Sequence, residues 1–199
     1  MVFYPGLYSA DTFDMYRQSL TGEYHTWHSI FMSLCWRIVN QIIPGPPLFM
    51  LFSSFMIVAA LYYLTSMFLK RAPAVVFTVL IALSPPVFNL IGWVHKDSFG
   101  FAFFLWFIAL ATHSLLYMNT GTAFQKRTVL LAALFGVLAV QVRLDFILPG
   151  VIAITFIATV LLHSKQTHAQ SGGAIWGFPV FGGLASGVVF AITALSLHL

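Results

Sequence analysis

The sequence predicts an all-helical membrane protein, in which a polytopic bundle of transmembrane helices follows two helices at the membrane surface. Of the 199 residues, 60% are hydrophobic and only 7% are charged, whereas about 25% are charged in an average soluble domain. A soluble chain of this length would need more polar surface to cover its core. We therefore expect lipid to be the solvent for much of the outer surface.

Six apolar stretches follow residue 46, and four of them have the roughly 20 residues that a helix needs to cross the hydrocarbon core. They cover about residues 47–69, 72–94, 98–118, 128–142, 146–163 and 174–198. The fourth and fifth are short, so they form either two thin spans or a helical pair that enters the membrane and returns. The predicted organisation is a surface segment, residues 1–46, and a transmembrane bundle, residues 47–199.

Two short helices are predicted in the surface segment. The first begins at Ser9 or Asp11, either of which can cap it, and ends before Gly22. The second covers about residues 26–43 and is stopped by the proline-rich segment 44–47. Apolar side chains recur along it at helical spacing: Trp27, Ile30, Phe31, Leu34, Ile38 and Ile42. An amphipathic helix of this kind lies in the interface plane of a bilayer.

Charged residues divide between the two sets of connections. Basic residues follow the first, third and fifth stretches: Lys70, Arg71, Lys126, Arg127 and Lys165. The other connections hold all five acids: Asp11, Asp14, Glu23, Asp97 and Asp145. Because Lys and Arg flank the cytoplasmic ends of spans, we expect the acidic set on the exoplasmic face. The predicted location is a bacterial cytoplasmic (inner) membrane, with the acidic face periplasmic or extracellular.

This orientation puts residues 1–46 outside the cell, which requires translocation of the tail or a span upstream of Met1. We expect the second, a larger membrane protein that lacks its first helix here. The net charge of +4 comes from scattered basic pairs, which excludes a nucleic-acid surface. The single cysteine, Cys35, excludes an intramolecular disulfide and a cysteine-based zinc site.

Asp11 is the first candidate for chemistry, because it lies at a helix start on the acidic face. One interpretation is that Asp11 only caps the helix. The other is a general base that takes the proton of an acceptor hydroxyl at the membrane surface. The two roles are compatible, since a helix N-terminus interacts favourably with a carboxylate.

Lys96 and Asp97 form the second candidate, after a stretch that Ser84-Pro85-Pro86 interrupts. Broken helices in a membrane line protein or a polar cavity. In the simpler interpretation the two residues belong to an interfacial turn. In the functional one, Lys96 binds a phosphate while Asp97 orients it or binds a divalent ion.

Arg143 and Asp145 form the third candidate, between the two short stretches. Because the two stretches are short, their junction lies within the membrane region. Charged side chains there cost free energy, and they suggest a functional role. They either pair with each other to tie a turn, or Arg143 binds phosphate in bidentate fashion with Asp145 as its support. His28, three residues after His25 and close to Glu23, is either a candidate metal ligand or an interfacial histidine that bonds to water.

The chain resembles the polytopic glycosyltransferases of the GT-C class. The likeness lies in the order of five segments: Tyr4-Pro5-Gly6 to Asp11, Thr21-Gly22-Glu23-Tyr24 to Trp27-His28, Ile43-Pro44-Gly45-Pro46, Gly92-Trp93-Val94-His95-Lys96-Asp97, and Arg143-Leu144-Asp145. The first three are similar to the first exoplasmic loop of that class, the fourth to its later "KD" loop, and the last to its "RxD" turn. One departure is Ser29, where the class has a proline after His28.

This resemblance implies transfer of a sugar from a polyprenyl-phosphate donor to a lipid or glycan acceptor on the exoplasmic side, in the synthesis of cell-envelope polysaccharide or glycoconjugates. It implies Asp11 as the catalytic base, with Lys96 and Arg143 binding the donor phosphate. Some members of the class use a divalent cation, Mg or Mn, for which Asp97 would be a ligand. The competing hypotheses are a transporter or flippase fragment and a non-catalytic membrane subunit or remnant.

Overall fold

The computed structural model describes residues 6–25, 29–116, 123–148 and 151. The chain divides into two units, Met1–Phe146 and Ile147–Leu199, and the helices described below lie in the first. Apart from residues 146–148 and 151, the fifth and sixth apolar stretches lie outside the described residues, as does His28.

The described residues form seven α-helices and no β-strand, so the predicted all-helical fold is confirmed for this part of the chain. The helices are α1 (Ala10–Thr21), α2 (Ile30–Asn40), α3 (Pro46–Ser66), α4 (Arg71–Ala82), α5 (Pro85–Gly92), α6 (Lys96–Leu116) and α7 (Ala123–Val142), followed by a 3-10 turn, Leu144–Phe146. Helix α6 packs against α3 and α7, and α1 packs against α2.

Helix α1 agrees closely with the prediction. Ser9 is the cap, because its Oγ accepts the N–H of Thr12 at 3.2 Å, and Asp11 lies in the first turn. Gly22 ends the helix in the left-handed conformation, at φ 78°, and its N–H donates to the carbonyl of Gln18 at 2.9 Å. The side chain of Asp11 is therefore not needed for capping.

Helix α2 is shorter than predicted and has two apolar sides. It begins after the cap Ser29 and ends at Asn40, whose Oδ1 accepts the N–H of Gly45 at 3.1 Å as the chain turns toward α3. Trp36 is fully buried and stacks on Phe49, with ring centroids 4.9 Å apart. Of the predicted apolar stripe, Ile30, Leu34, Ile38 and Ile42 are exposed, whereas Phe31 at its edge packs against α6, with its ring centroid 5.8 Å from that of Phe103. The other contacts of α2 within the protein come from the opposite side, where Trp36 lies.

Helix α3 is, among the described residues, the one helix long and apolar enough to cross a bilayer. Helices α4 and α5 pass the same test together, as a pair bent by 79°. The bend follows Ser84, where Pro85 begins the next helix and proline has no N–H to continue the backbone ladder. The interruption predicted in the second stretch is therefore confirmed, whereas the number of spans stays a prediction.

Helix α7 begins at Ala123, five residues before the predicted start of the fourth stretch. The prediction followed the apolar residues alone. Gln, Lys and Arg are good helix formers. The helix therefore includes the polar segment that contains these residues and precedes the apolar ones. The result is a 20-residue helix where a short one was expected.

Close packing at Gly100 joins α6 to the end of α7. A Cβ atom at Gly100 would lie 2.6 Å from Cε2 of Phe146 and 3.4 Å from Cγ1 of Val142. The ring of Phe146 is buried and stacks on Phe104, with centroids 5.3 Å apart. Since neither ring can move without losing this contact, the position requires glycine.

We therefore predict that Gly100→Ala lowers the free energy of unfolding by about 1–2 kcal/mol, because overpacking outweighs the gain in helix propensity of about 1 kcal/mol. Chemical unfolding in detergent, followed by helical circular dichroism, measures the change. Gly136→Ala is the matched control, since its Cβ would approach Phe107 Cδ2 only to 3.2 Å. Equal stability of the two variants would contradict the packing argument.

Candidate functional site

An extended connection between α5 and α6 pairs with Leu7, which precedes α1. The N–H of Leu7 donates to the carbonyl of Gly92 at 3.3 Å, and the N–H of Val94 donates to the carbonyl of Leu7 at 3.2 Å. Thr12 Oγ1 donates to the carbonyl of Val94 at 2.7 Å and is completely buried. These three bonds fix the N-terminus of α1 beside the N-terminus of α6.

Gly6 allows this close approach. Its φ of +127° is one that L side chains rarely adopt, and a Cβ there would lie 2.7 Å from Cγ2 of Val94. A glycine at this position is thus required for the N-terminal segment to lie against the α5–α6 connection.

Asp11 and Lys96 meet at this junction, although they are 85 positions apart in the sequence. Lys96 Nζ donates to Asp11 Oδ2 at 2.9 Å. The side chain of Asp11 is 43% exposed and that of Lys96 is 25% exposed. The structure therefore brings the predicted base and one predicted phosphate ligand into direct contact at an accessible place.

Asp97, the next residue of α6, is buried and uses both carboxylate oxygens. Its Oδ1 forms an ion pair with Nη1 of Arg143, and its Oδ2 lies 3.2 Å from Nδ1 of His95. The His95 ring stacks on Trp93, with centroids 4.8 Å apart. The carboxylate is thus held between a cation and an anchored imidazole ring.

Arg143 lies between two carboxylates. Its Nε donates to Asp145 Oδ2 at 2.7 Å, while Nη1 contacts Asp97. The 3-10 turn after α7 creates this arrangement, because the N–H of Phe146 donates to the carbonyl of Arg143 at 3.2 Å and the Phe146 ring packs beside Gly100. The side chain of Asp145 is 73% exposed, so Asp97 is the buried partner of the two.

The electrostatics of this network favour the ionised forms. Burial raises the pKa of Asp97, but the contacts with His95 and Arg143 outweigh it, so the pKa lies below its usual value. Burial likewise lowers the pKa of Arg143, and the hydrogen bonds to Asp97 and Asp145 more than compensate, leaving it raised. Asp97 and Arg143 are therefore a charged pair at neutral pH, in which Asp97 is buried and Arg143 is partly exposed.

Five of the six predicted site residues fall within the described part of the chain. They form two ion-paired groups, Asp11 with Lys96 and Arg143 with Asp97 and Asp145. His28 lies outside the described residues. His95 belongs to the predicted segment around Lys96 and Asp97, but the sequence assigned it no role; it directly precedes α6, which lets its ring reach Asp97.

No group of three His, Cys, Asp or Glu side chains that could hold a metal ion occurs in residues 6–25, 29–116, 123–148 and 151. Both oxygens of Asp97 already have partners, so a cation there would have to compete with Arg143. The expected Mg or Mn stays a prediction from the resemblance alone.

The chain matches no protein family, no curated protein and no solved structure in the comparisons made.

We predict that Asp97→Asn lowers the free energy of unfolding near neutral pH by about 2 kcal/mol. The loss should be smaller than the ~3–5 kcal/mol of a fully buried pair, because Arg143 is partly exposed and keeps Asp145. Since the pKa of Asp97 is lowered by folding, its stabilising effect is complete above the ordinary carboxyl pKa of about 4 and is lost as the pH falls through the lowered value.

Unfolding in detergent at a series of pH values tests this. The stability difference between the natural protein and Asp97→Asn should shrink as the pH falls below about 4. Asp145→Asn is the matched control, because its carboxylate pairs with the same arginine but is mostly exposed. A difference that stays constant with pH would exclude the ion pair as its cause.

Proposed function

We propose that this chain is an integral membrane glycosyltransferase that moves a sugar from a polyprenyl-phosphate donor to an acceptor hydroxyl on the exoplasmic side. The observation that carries the proposal is the contact between Asp11 and Lys96. A proton acceptor and an anion-binding group, distant in sequence, share one partly exposed position. Both are required where a hydroxyl attacks a carbon that carries a phosphate leaving group.

In the proposed reaction, Asp11 takes the proton of the acceptor hydroxyl as the oxygen attacks the anomeric carbon. The bond between that carbon and the phosphate oxygen breaks, and polyprenyl phosphate leaves with the electron pair. The ammonium group of Lys96 stabilises the negative charge that develops on the phosphate. Arg143, held by Asp97 and Asp145, adds a fixed positive charge to the same end of α6.

A membrane location is supported by the surface of the helices. In α3, Leu51, Phe52 and Phe55 are exposed, and in α4 so are Val76 and Leu80. Exposed apolar surface of this extent is normal in lipid and unfavourable in water. The basic and acidic connections, taken with this surface, favour a polytopic protein whose site faces the exoplasm.

A transporter is the second candidate, and the 79° bend between α4 and α5 is the observation that favours it, since discontinuous helices are common at transport sites. Reconstitution in vesicles separates the two functions. A transferase joins the sugar of a labelled lipid-linked donor covalently to an acceptor, whereas a transporter moves an unchanged substrate across the bilayer.

We predict that Asp11→Asn lowers the rate of sugar transfer by about 10²–10⁴-fold, the usual contribution of a general base. The amide keeps the shape of the side chain and cannot take the proton. The measurement is transfer from a radiolabelled polyprenyl-phosphate sugar into acceptor in membranes containing the full-length protein.

Asp14→Asn is the matched control, because Asp14 lies on the same helix and pairs with Arg17 instead. It should retain transfer within a few-fold of the natural protein. Transfer that survives in Asp11→Asn, with membrane insertion unchanged, would refute the assignment of the base.

A further inference from the structure

Two cationic side chains, Lys96 and Arg143, lie near the N-terminus of α6, and they differ in the number and burial of their carboxylate partners. Arg143 is bound by two carboxylates, one of them buried. Lys96 is bound by one carboxylate, that of Asp11, in a partly exposed pair. An incoming anion can therefore displace the partner of Lys96 with much less loss than either partner of Arg143.

We propose that Lys96 exchanges Asp11 for the donor phosphate, so that donor binding releases the base and must precede productive binding of the acceptor. This inference rests on the proposed function and concerns the order of events at its site. In the structure, the oxygen of Asp11 nearest Lys96 accepts a hydrogen bond from the ammonium group. In the loaded site, the same ammonium group contacts a phosphate oxygen instead.

The properties of the two side chains support such an exchange. The ammonium group of lysine is a compact charge on a flexible stem, so it can turn from one anion to another without losing its geometry. Asp11 lies in the first turn of α1, where a carboxylate interacts favourably with the helix dipole. The loss of Lys96 therefore does not leave Asp11 as an uncompensated charge.

Exchange also fits the chemistry of the proposed step. A carboxylate oxygen that accepts a hydrogen bond from an ammonium group is a poorer proton acceptor than one released from it. Before the donor arrives, Lys96 holds Asp11 in the less reactive arrangement. Once Lys96 binds the phosphate instead, Asp11 is able to accept the proton of the acceptor hydroxyl. The new glycosidic bond then forms as the bond between the anomeric carbon and the phosphate oxygen breaks.

Binding of farnesyl phosphate to the full-length protein in nanodiscs, measured by isothermal titration calorimetry, tests the exchange without any turnover. Asp11→Asn should bind this probe about two- to fivefold more tightly than the natural protein, because a competing partner of ordinary ion-pair strength has been removed. Lys96→Gln should bind it more weakly, and Asp14→Asn, the matched control, should bind it as the natural protein does.

The double variant Asp11→Asn with Lys96→Gln decides whether the effect passes through Lys96. Exchange predicts that Asp11→Asn no longer tightens binding when Lys96 is absent. An equal gain in affinity with and without Lys96 would mean that Asp11 acts through overall charge. No gain in either case would mean that Asp11 does not compete with the phosphate. Either result would overturn the exchange. A thermal unfolding curve for each variant shows that it is folded.

The exchange and the proposed function can fail separately. If Asp11→Asn loses sugar transfer but leaves farnesyl phosphate binding unchanged, the exchange is wrong and the base assignment stands. If Asp11→Asn binds the probe more tightly only when Lys96 is present and still transfers sugar, the exchange stands and the proposed base is wrong.

Discussion

The arrangement of the site depends on a short backbone contact between residue 7 and the α5–α6 connection. Two hydrogen bonds, at 3.3 and 3.2 Å, join Leu7 to Gly92 and Val94. A third bond, from the buried hydroxyl of Thr12, adds to them. The two segments run parallel at this contact, so Asp11, which follows Leu7, and Lys96, which follows Val94, lie on the same side of it. It brings the carboxylate and the ammonium group together although the two residues are 85 positions apart in the sequence.

Features that depend on neighbouring residues could be predicted from the sequence. The start and end of α1 follow from Ser9 and Gly22, and the bend after Ser84 follows from the prolines. The pairing of Arg143 with Asp145, one of two interpretations of that segment, needed only a turn of ordinary length. In each case the residues that decide the structure lie within a few positions of one another, so local chemistry determines the outcome.

Features that depend on tertiary contacts could not be predicted in the same way. The sequence distinguishes Lys96 and Asp97 only by type, and nothing local says that one contacts α1 while the other contacts the end of α7. The role of Trp36, buried on the side of α2 opposite the predicted apolar stripe, depends on Phe49 of α3. The polar start of α7 was missed because hydropathy, which indicates lipid contact, does not define where a helix begins.

Helix geometry explains how two adjacent residues serve two distant segments. Successive side chains of an α-helix point about 100° apart, since a turn holds 3.6 residues. At the first positions of α6 this rotation directs Lys96 to Asp11 and Asp97 to Arg143. The pair with the buried carboxylate of Asp97 holds α6 against the end of α7 with both charges compensated, whereas the more accessible pair of Lys96 and Asp11 has a partner that an anion can displace. One helical terminus thus combines a rigid ionic contact with an exchangeable one, and the exchangeable contact contains the residues to which the proposed chemistry is assigned.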